Sequence, residues 1–218
     1  MALPPQIFRF GAKAYDWMTT HAVWHGHAAR LAAFVPGAPG GRRVLDIGCG
    51  PGNSTLAIAA ALPGDTVVGL DLAESMLRIA RRADTAGRCA WVRGDALDLP
   101  FRDASVDAVT GHSLLYLLPD RRRALAEIRR VLRPGGALAL LEPSRLPLRE
   151  TARALERTLR EAGPRLAFTL ACWRIAGAAG GAFGPGDLAR ALAEAGFADA
   201  RDEPTLRGLG HVGVARAP

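Results

Sequence analysis

Three loops of this sequence carry residue types that could hold a nucleoside. The first is Asp46-Ile47-Gly48-Cys49-Gly50-Pro51-Gly52, a glycine-rich turn that closes a short apolar run. Glycines there let the backbone turn sharply and approach a ligand with no Cβ in the way. The second is Asp71, 23 residues after Gly48 at the end of the next apolar run. A carboxylate in that place can accept hydrogen bonds from both hydroxyls of an adenosine ribose. The third is Gly94-Asp95-Ala96, which offers a carboxylate to an adenine amino group and a backbone N–H to a ring nitrogen. The glycine spacing is G-x-G-x-G, with Asn53 where the dinucleotide fingerprint G-x-G-x-x-G has its last glycine. An NAD-dependent dehydrogenase is therefore the weaker reading.

Side chains able to accept or donate a proton are Tyr15, His21, His25, His112 and Tyr116. His21 and His25 stand one helical turn apart with His27 close by, but no carboxylate or cysteine accompanies them, so no metal site is expected. Cys49, Cys89 and Cys172 are widely spaced and odd in number, which suits reduced thiols in a cytoplasmic protein.

The elements that must position these groups follow from periodicity. Residues 6–34 are expected to be helical, ahead of the turn-forming run Pro36 to Gly41. Strands are expected at Val44–Gly48, Thr66–Leu72, Cys89–Arg93, Val106–Thr110 and Ala137–Leu141, alternating with helices at Ser54–Leu62, Ala73–Ala83 and Arg121–Leu132. The third of these helices stops at Pro134-Gly135-Gly136. From Pro143 to Gly184 the rhythm changes to two helical stretches, the first with Leu148, Ala152, Leu155 and Leu159 on one side. A helix over Gly186–Gly196 precedes two late strands, Ala198–Glu203 and His211–Ala215, close enough in sequence to pair antiparallel. The pattern predicts an α/β fold, a Rossmann-like doubly wound sheet of about seven strands. It is mostly parallel with an antiparallel last strand, and carries a helical cap. Within one domain, residues 1–40 form an N-terminal cap or lid, 41–142 the nucleoside-binding core, 143–185 a helical insertion over the acceptor, and 186–218 the completion of the sheet.

Composition narrows the function classes. A chain of 218 residues with 49% hydrophobic content suits one globular domain. The net charge of +7 rests on arginine, since Lys13 is the sole lysine. The clusters Arg121-Arg122-Arg123 and Arg129-Arg130 fall on one amphipathic helix and read as a solvated face, and nucleic acid is disfavoured as a partner. Residues Met1 to Phe10 lack the apolar core of a signal peptide. The longest apolar stretch, Leu166 to Gly184, is interrupted by Arg174, so no transmembrane segment is expected, while peripheral contact with a membrane stays open.

Taken in order, the motifs resemble class I S-adenosylmethionine-dependent methyltransferases, in particular the methyltransferase type 11 branch that includes ubiquinone and menaquinone C-methyltransferases. Val44–Gly52 resembles the family's first motif, Gly69–Leu77 its second, and Gly94–Ala96 with Leu99-Pro100-Phe101 its third. Leu132-Arg133-Pro134-Gly135-Gly136 precedes the fifth strand as in the family, and the likeness covers about 100 residues. It implies S-adenosylmethionine as cofactor and S-adenosylhomocysteine as product. Gly48 and Gly50 would line the methionine moiety and Asp46 would support its amino group. Asp71 would take the ribose hydroxyls, and Asp95 and Ala96 the adenine, with Leu72 and Met76 as apolar walls. His112 or Ser113 would face the methionine end.

The sulfonium of such a cofactor is already a methylating agent, so the protein's part is alignment, with a base needed only where the acceptor must lose a proton. The acceptor is expected between the N-terminal helix (Tyr15, Trp17, Trp24) and the insertion (Phe168, Trp173, Phe183), surfaces suited to a small hydrophobic or aromatic molecule. O-, N-, S- and C-methylation remain open, as do monomer and homodimer. A binding protein or non-methylating enzyme on the same fold is the alternative.

Overall fold

The computed structural model describes Thr20, residues 22–37 and residues 40–218, with backbone alone at 22 and 23. The elements in chain order are α1 (Ala22–Ala32), β1 (Arg43–Ile47), α2 (Asn53–Ala61), β2 (Thr66–Asp71), α3 (Glu74–Ala83), β3 (Cys89–Arg93) and β4 (Val106–His112). They continue with α4 (Arg121–Val131), β5 (Leu132–Pro143), α5 (Leu148–Ala162), α6 (Pro164–Gly180), α7 (Asp187–Glu194), β6 (Ala198–Thr205) and β7 (Gly210–Arg216). Short 3₁₀ turns lie at Leu115–Leu117 and Leu206–Gly208.

Apolar runs too short for helices become buried strands, and the seven pair in the order β3-β2-β1-β4-β5-β7-β6. β1 to β5 are parallel; β7 runs antiparallel to both β5 and β6. The chain winds outward from β1 to β3, then crosses over to lay β4 on the other side of β1. This reversal opens a crevice at the carboxyl ends of β1 and β4, the place where doubly wound sheets bind ligands.

Alternation along the strands splits the core. Leu45, Ile47, Val109, Leu138 and Leu140 face Leu125 and Ile128 of α4 and Leu188 and Leu192 of α7. Ala139 and Leu141 face the other way, against Trp24 and Leu31 of α1 and Leu166, Leu170 and Trp173 of α6. Val44, Val67 and Ala108 pack with Ile58 of α2 and Val35.

Three local expectations change. The first concerns α5, which buries Thr151, Ala154 and Thr158, while Leu148 and Leu159 are 84% and 50% exposed. The small face wins because it lets α6 approach closely, and the Thr158 hydroxyl is satisfied by the Ala154 carbonyl at 2.8 Å. The second is that α4 ends at Val131 and the chain is extended at once, so Pro134-Gly135-Gly136 lies within β5. There it forms an irregularity: Leu132 pairs with Val106, and Ala137 with Ala108.

The third is the arginine face of α4, which grips neighbouring carbonyls. Arg121 donates to Gly180 and Gly181 (2.6 and 2.7 Å) and Arg123 to Leu97 (2.7 Å). Arg130 donates to Phe101 and Leu99 (2.8 and 2.9 Å). Much of this basic surface is thus committed to the protein's own loops. Among the described residues no helix is long and apolar enough to cross a membrane.

Candidate cofactor and acceptor site

The glycine loop leaves β1 through Gly48, whose φ is +66°. A Cβ there would stand 2.8 Å from a Leu114 methyl, so both the handedness of the turn and the closeness of the next loop require glycine. Gly52 (φ +89°) is the same case, with its Cβ position 2.7 Å from the Trp91 ring. Two bonds dock the loop on β2: the Cys49 N–H donates to Leu70 O (3.0 Å), and the Gly50 N–H to Asp71 Oδ2 (2.9 Å).

Asp71 ends β2 half-buried, its other oxygen accepting the Ala73 N–H at 2.8 Å. Burial pushes its pKa up against the pull of these two N–H bonds. The carboxylate is therefore pinned by the backbone, and each oxygen keeps lone-pair capacity for a ligand hydroxyl. Beside it Leu72 is half exposed, an apolar side chain at the crevice, whereas Met76 is 2% exposed inside the α3 packing. At the end of β3, Asp95 Oδ1 accepts the Leu97 N–H (2.9 Å) and Ala96 is buried. Glu127 and Arg130 hold the following residues, Glu127 by accepting the Leu99 N–H at 2.8 Å.

Asp46 sits deeper than the resemblance implied. It is fully buried, and its carboxylate accepts from the hydroxyls of Ser54, Thr55 and Thr110 at 2.7, 2.7 and 2.9 Å. Burial raises its pKa, those hydroxyls oppose the rise, and Asp71 adds to it. Asp46 braces β1, the start of α2 and β4 from beneath the loop. The Cys49 thiol, also buried, has its pKa pushed well up by burial and by the charges of Asp71 and Asp46.

The other wall comes from β4. His112 ends the strand and Ser113 follows it in the left-handed region (φ +62°), held by its N–H bond to Leu141 O at 2.8 Å. Ser113 Oγ lies 2.8 Å from His112 Nδ1, while Nε2 is buried with no hydrogen-bond partner among the described residues. Burial is the main cause that holds the His112 pKa down at about 4, so the ring is neutral at pH 7. Trp24 of α1 meets it edge-on at 4.9 Å between ring centroids, and Trp173 of α6 stacks on it at 6.2 Å. The two tryptophans cross at 5.2 Å. Trp24, His25, Gly48, Cys49, Pro51, Asn53, Ser54 and His112 line a narrow cleft beside the glycine loop.

Of the other proton-transfer candidates, His25 is exposed at the rim of that cleft, and Tyr116 is buried in the 3₁₀ turn. Tyr15 and His21 lie outside the described residues, as does Trp17. Of the aromatic residues assigned to the insertion, Phe168 is 57% exposed, and Phe183 is buried with Arg121 over its ring.

Sequence reasoning missed Glu142. This fully buried carboxylate at the end of β5 accepts the N–H groups of Leu114, Leu115 and Tyr116 at 3.1, 2.8 and 3.1 Å. It shapes the turn that rests on Gly48, and burial raises its pKa to about 7. An acidic residue directly after the apolar run Leu138–Leu141 was the available signal.

The residues present fit a nucleoside cofactor: a glycine loop that excludes side chains at Gly48 and Gly52, a pinned carboxylate with spare lone pairs, and an exposed leucine beside it. Residues 45–140 match the family model for a methyltransferase domain. A demethylmenaquinone methyltransferase of Lactiplantibacillus plantarum is 45% identical over 150 residues, 63% of this chain and 61% of the relative. The ubiquinone/menaquinone biosynthesis C-methyltransferase of Paracoccus denitrificans is 38% identical over 155 residues, 65% and 59% of the two chains. The chain thus spans about three-fifths of the length of the curated relatives it matches. Among solved structures, phosphoethanolamine N-methyltransferase 2 of Haemonchus contortus, in complex with S-adenosyl-L-methionine, superposes with a TM-score of 0.69. It is 20% identical, with 98% of this chain and 58% of that one covered. The [4+2]-cyclase SpnF shares the fold at a TM-score of 0.61, with 22% identity over 88% of this chain and 80% of its own. Motif order, sheet topology and these relatives agree: residues 45–140 match a methyltransferase domain, and the chain is similar to S-adenosylmethionine-dependent methyltransferases.

Proposed function

We propose that the protein moves a methyl group from S-adenosylmethionine to a small hydrophobic or aromatic acceptor, with C-methylation of a quinone-type ring as the specific case. The observation that carries this reading is Asp71, fixed by the Gly50 and Ala73 N–H groups at the rim of the switch-point crevice. Gly48 and Gly50 would line the amino-acid end of the cofactor, Asp71 its ribose, and Asp95, Ala96 and Leu72 its base. When bound, the cofactor supplies an electrophilic methyl group, and the chemistry needs no further activation of the donor.

The chain's own residues then have two tasks. One is to hold the acceptor atom in line with the methyl group, which can account for a large part of the rate. The other is to keep water from competing, and Trp24, packed edge-on against the stacked His112 and Trp173 rings, supplies an aromatic wall for it. One of the two relatives is named for methylation of demethylmenaquinone and the other as a ubiquinone/menaquinone C-methyltransferase, and an aromatic wall suits a flat acceptor.

Isothermal titration with S-adenosylhomocysteine, and with NAD as control, tests the cofactor half. Binding of the sulfur ligand is expected, weakened tenfold or more in Asp71→Asn, since a hydrogen bond to a charged group is worth roughly 1.5–3 kcal/mol. Heat with NAD and none with S-adenosylhomocysteine would refute the reading. The acceptor half is tested by label transfer from methyl-labelled cofactor to reduced demethylmenaquinone.

A further inference from the structure

The α5–α6 hairpin turns an apolar surface to solvent. On α6, Phe168 and Ile175 are 57% and 70% exposed, and their spacing of two helical turns puts them on one face. Ala171, Cys172 and Ala178 share that face, so it carries no charge. The two arginines of α6 lie to its sides and are committed, Arg165 to Thr20 Oγ1 (2.7 Å) and Arg174 to Leu146 O (2.9 Å). On α5, Leu148 and Leu159 are 84% and 50% exposed, three turns apart on one stripe. Leu155 of the same stripe packs against the cluster that holds Leu166 and Leu170 of α6, so the stripe borders α6. Exposed apolar patches of this kind mark interaction surfaces.

Next to the leucines runs a row of exposed arginines, Arg149, Arg153 and Arg157, at one-turn spacing. None of the three has a hydrogen bond or ion pair among the described residues. Of the acids on α5, Glu156 pairs with Arg160 and Glu161 with Arg207, which leaves Glu150 as the counter-charge.

We propose that this surface docks on a lipid bilayer that contains anionic lipid. Leu148, Leu159, Phe168 and Ile175 enter between the headgroups, and Arg149, Arg153 and Arg157 face the lipid phosphates. Charge decides between this occupant and a second copy of the chain. A second copy brings the same unpaired arginines to the contact again, whereas an anionic surface supplies their counter-charge. The contact is interfacial, since no helix among the described residues is long and apolar enough to cross a membrane. Trp173, on the opposite side of α6, stacks on His112. The docked bilayer therefore lies about one helix diameter, roughly 10 Å, from the aromatic cluster beside the cleft. This docking is independent of the methyl-transfer reading and holds whatever the acceptor.

Co-sedimentation of the whole chain with vesicles tests it, using phosphatidylcholine alone and phosphatidylcholine mixed with phosphatidylglycerol. Binding is expected to the mixed vesicles and should weaken as salt is raised. Arg149→Gln/Arg153→Gln/Arg157→Gln removes cations worth about fivefold each near an anionic surface, so its affinity should fall about a hundredfold. Leu148→Ser/Ile175→Ser should bind about tenfold more weakly or worse, because two apolar side chains no longer enter the lipid. All these positions are exposed, so thermal unfolding of both variants should match that of the unmutated protein. In the unmutated protein, mixed vesicles should slow maleimide modification of Cys172, which shares the α6 face, and leave Cys89 on β3 unaffected. That readout decides the matter even if a variant folds poorly. Absence of binding, equal affinity in the unmutated protein and both variants, or equal binding to neutral vesicles would each overturn the proposal. So would a dimer in solution, seen by sedimentation velocity, that Leu148→Ser/Ile175→Ser breaks, since a second copy would then cover the face. Each of these failures leaves the cofactor reading standing, because that reading is decided by S-adenosylhomocysteine binding.

Discussion

Relative to wild type, Glu142→Gln should gain stability as the pH rises from 4.5 to 8. Glu142 is fully buried, and its pKa stands at about 7 against 4.5 for the free side chain. Between those values the folded protein holds a proton that the unfolded chain has released. Stability therefore falls as the pH rises from about 4.5 through 7 and stays lower beyond it. A gap of one pH unit between the folded and unfolded values corresponds to about 1.36 kcal/mol, so the rise from 4.5 to about 7 sets a limit of about 3 kcal/mol.

Gln keeps one oxygen accepting the Leu114 and Leu115 N–H groups, but its amide nitrogen cannot accept from Tyr116 as the acid's second oxygen does. Below pH 4.5 the variant should therefore be the less stable by about 1 kcal/mol, an offset that does not change with pH. For a chain of this size about 3 kcal/mol corresponds to roughly 10 °C in Tm. Thermal unfolding by circular dichroism at half-unit steps from pH 5 to 8 measures it, with the variant as reference for the other buried acids, Asp46 and Asp71. A variant less stable than wild type at pH 8, or two parallel curves, would refute the argument. It would mean that the three N–H bonds outweigh desolvation at this site.

Gly48→Ala places a Cβ against Leu114 at a left-handed position; it should cost about 1–2 kcal/mol and lower S-adenosylhomocysteine affinity at least tenfold by titration calorimetry. Asp46→Ala strips the buried Thr55 and Thr110 hydroxyls and the half-buried Ser54 hydroxyl of their acceptor, and should lower unfolding free energy in urea by about 2–4 kcal/mol. Arg130→Ala releases the Leu99 and Phe101 carbonyls, and should speed hydrogen exchange across residues 97–101 while the exchange of β1 stays as it was.

The sheet was legible in the sequence because its strands are short apolar runs closed by Gly or Asp, and no competing period obscures them. The antiparallel ending was legible too, since the loop between β6 and β7 is too short for a crossover. The loops after β1, β2 and β3 were legible as well, since each follows directly on the end of such a run. What escaped depends on distance across the fold. The leucines of α5 have helical spacing, yet the partner helix selects Thr151, Ala154 and Thr158 by their size. The arginines of α4 look solvated until the carbonyls of residues 97–101 and 180–181 arrive opposite them. Asp46 belongs to the expected loop but lies beneath it, because one sequence does not say which hydroxyls gather there. The cluster of Trp24, His112 and Trp173 draws on three elements spread over about 150 residues, with no local signal that they meet.

The placement of β7 between β5 and β6 has a consequence for synthesis. β5 is covered on its outer edge by β7 from Ala137↔Arg216 to Pro143↔Gly210. Every strand that forms the crevice has left the ribosome long before Arg216 does, yet until then the longest strand of the sheet offers an unpaired apolar edge. Such an edge is a template for another chain. The nascent protein is thus a half-built sheet until Gly210–Arg216 docks on β5 and brings β6 in with it, since β6 reaches the sheet through β7. Its yield in a cell should depend on how well that edge is shielded in the interval, by α6 or by a chaperone, more than on the strength of any single core contact.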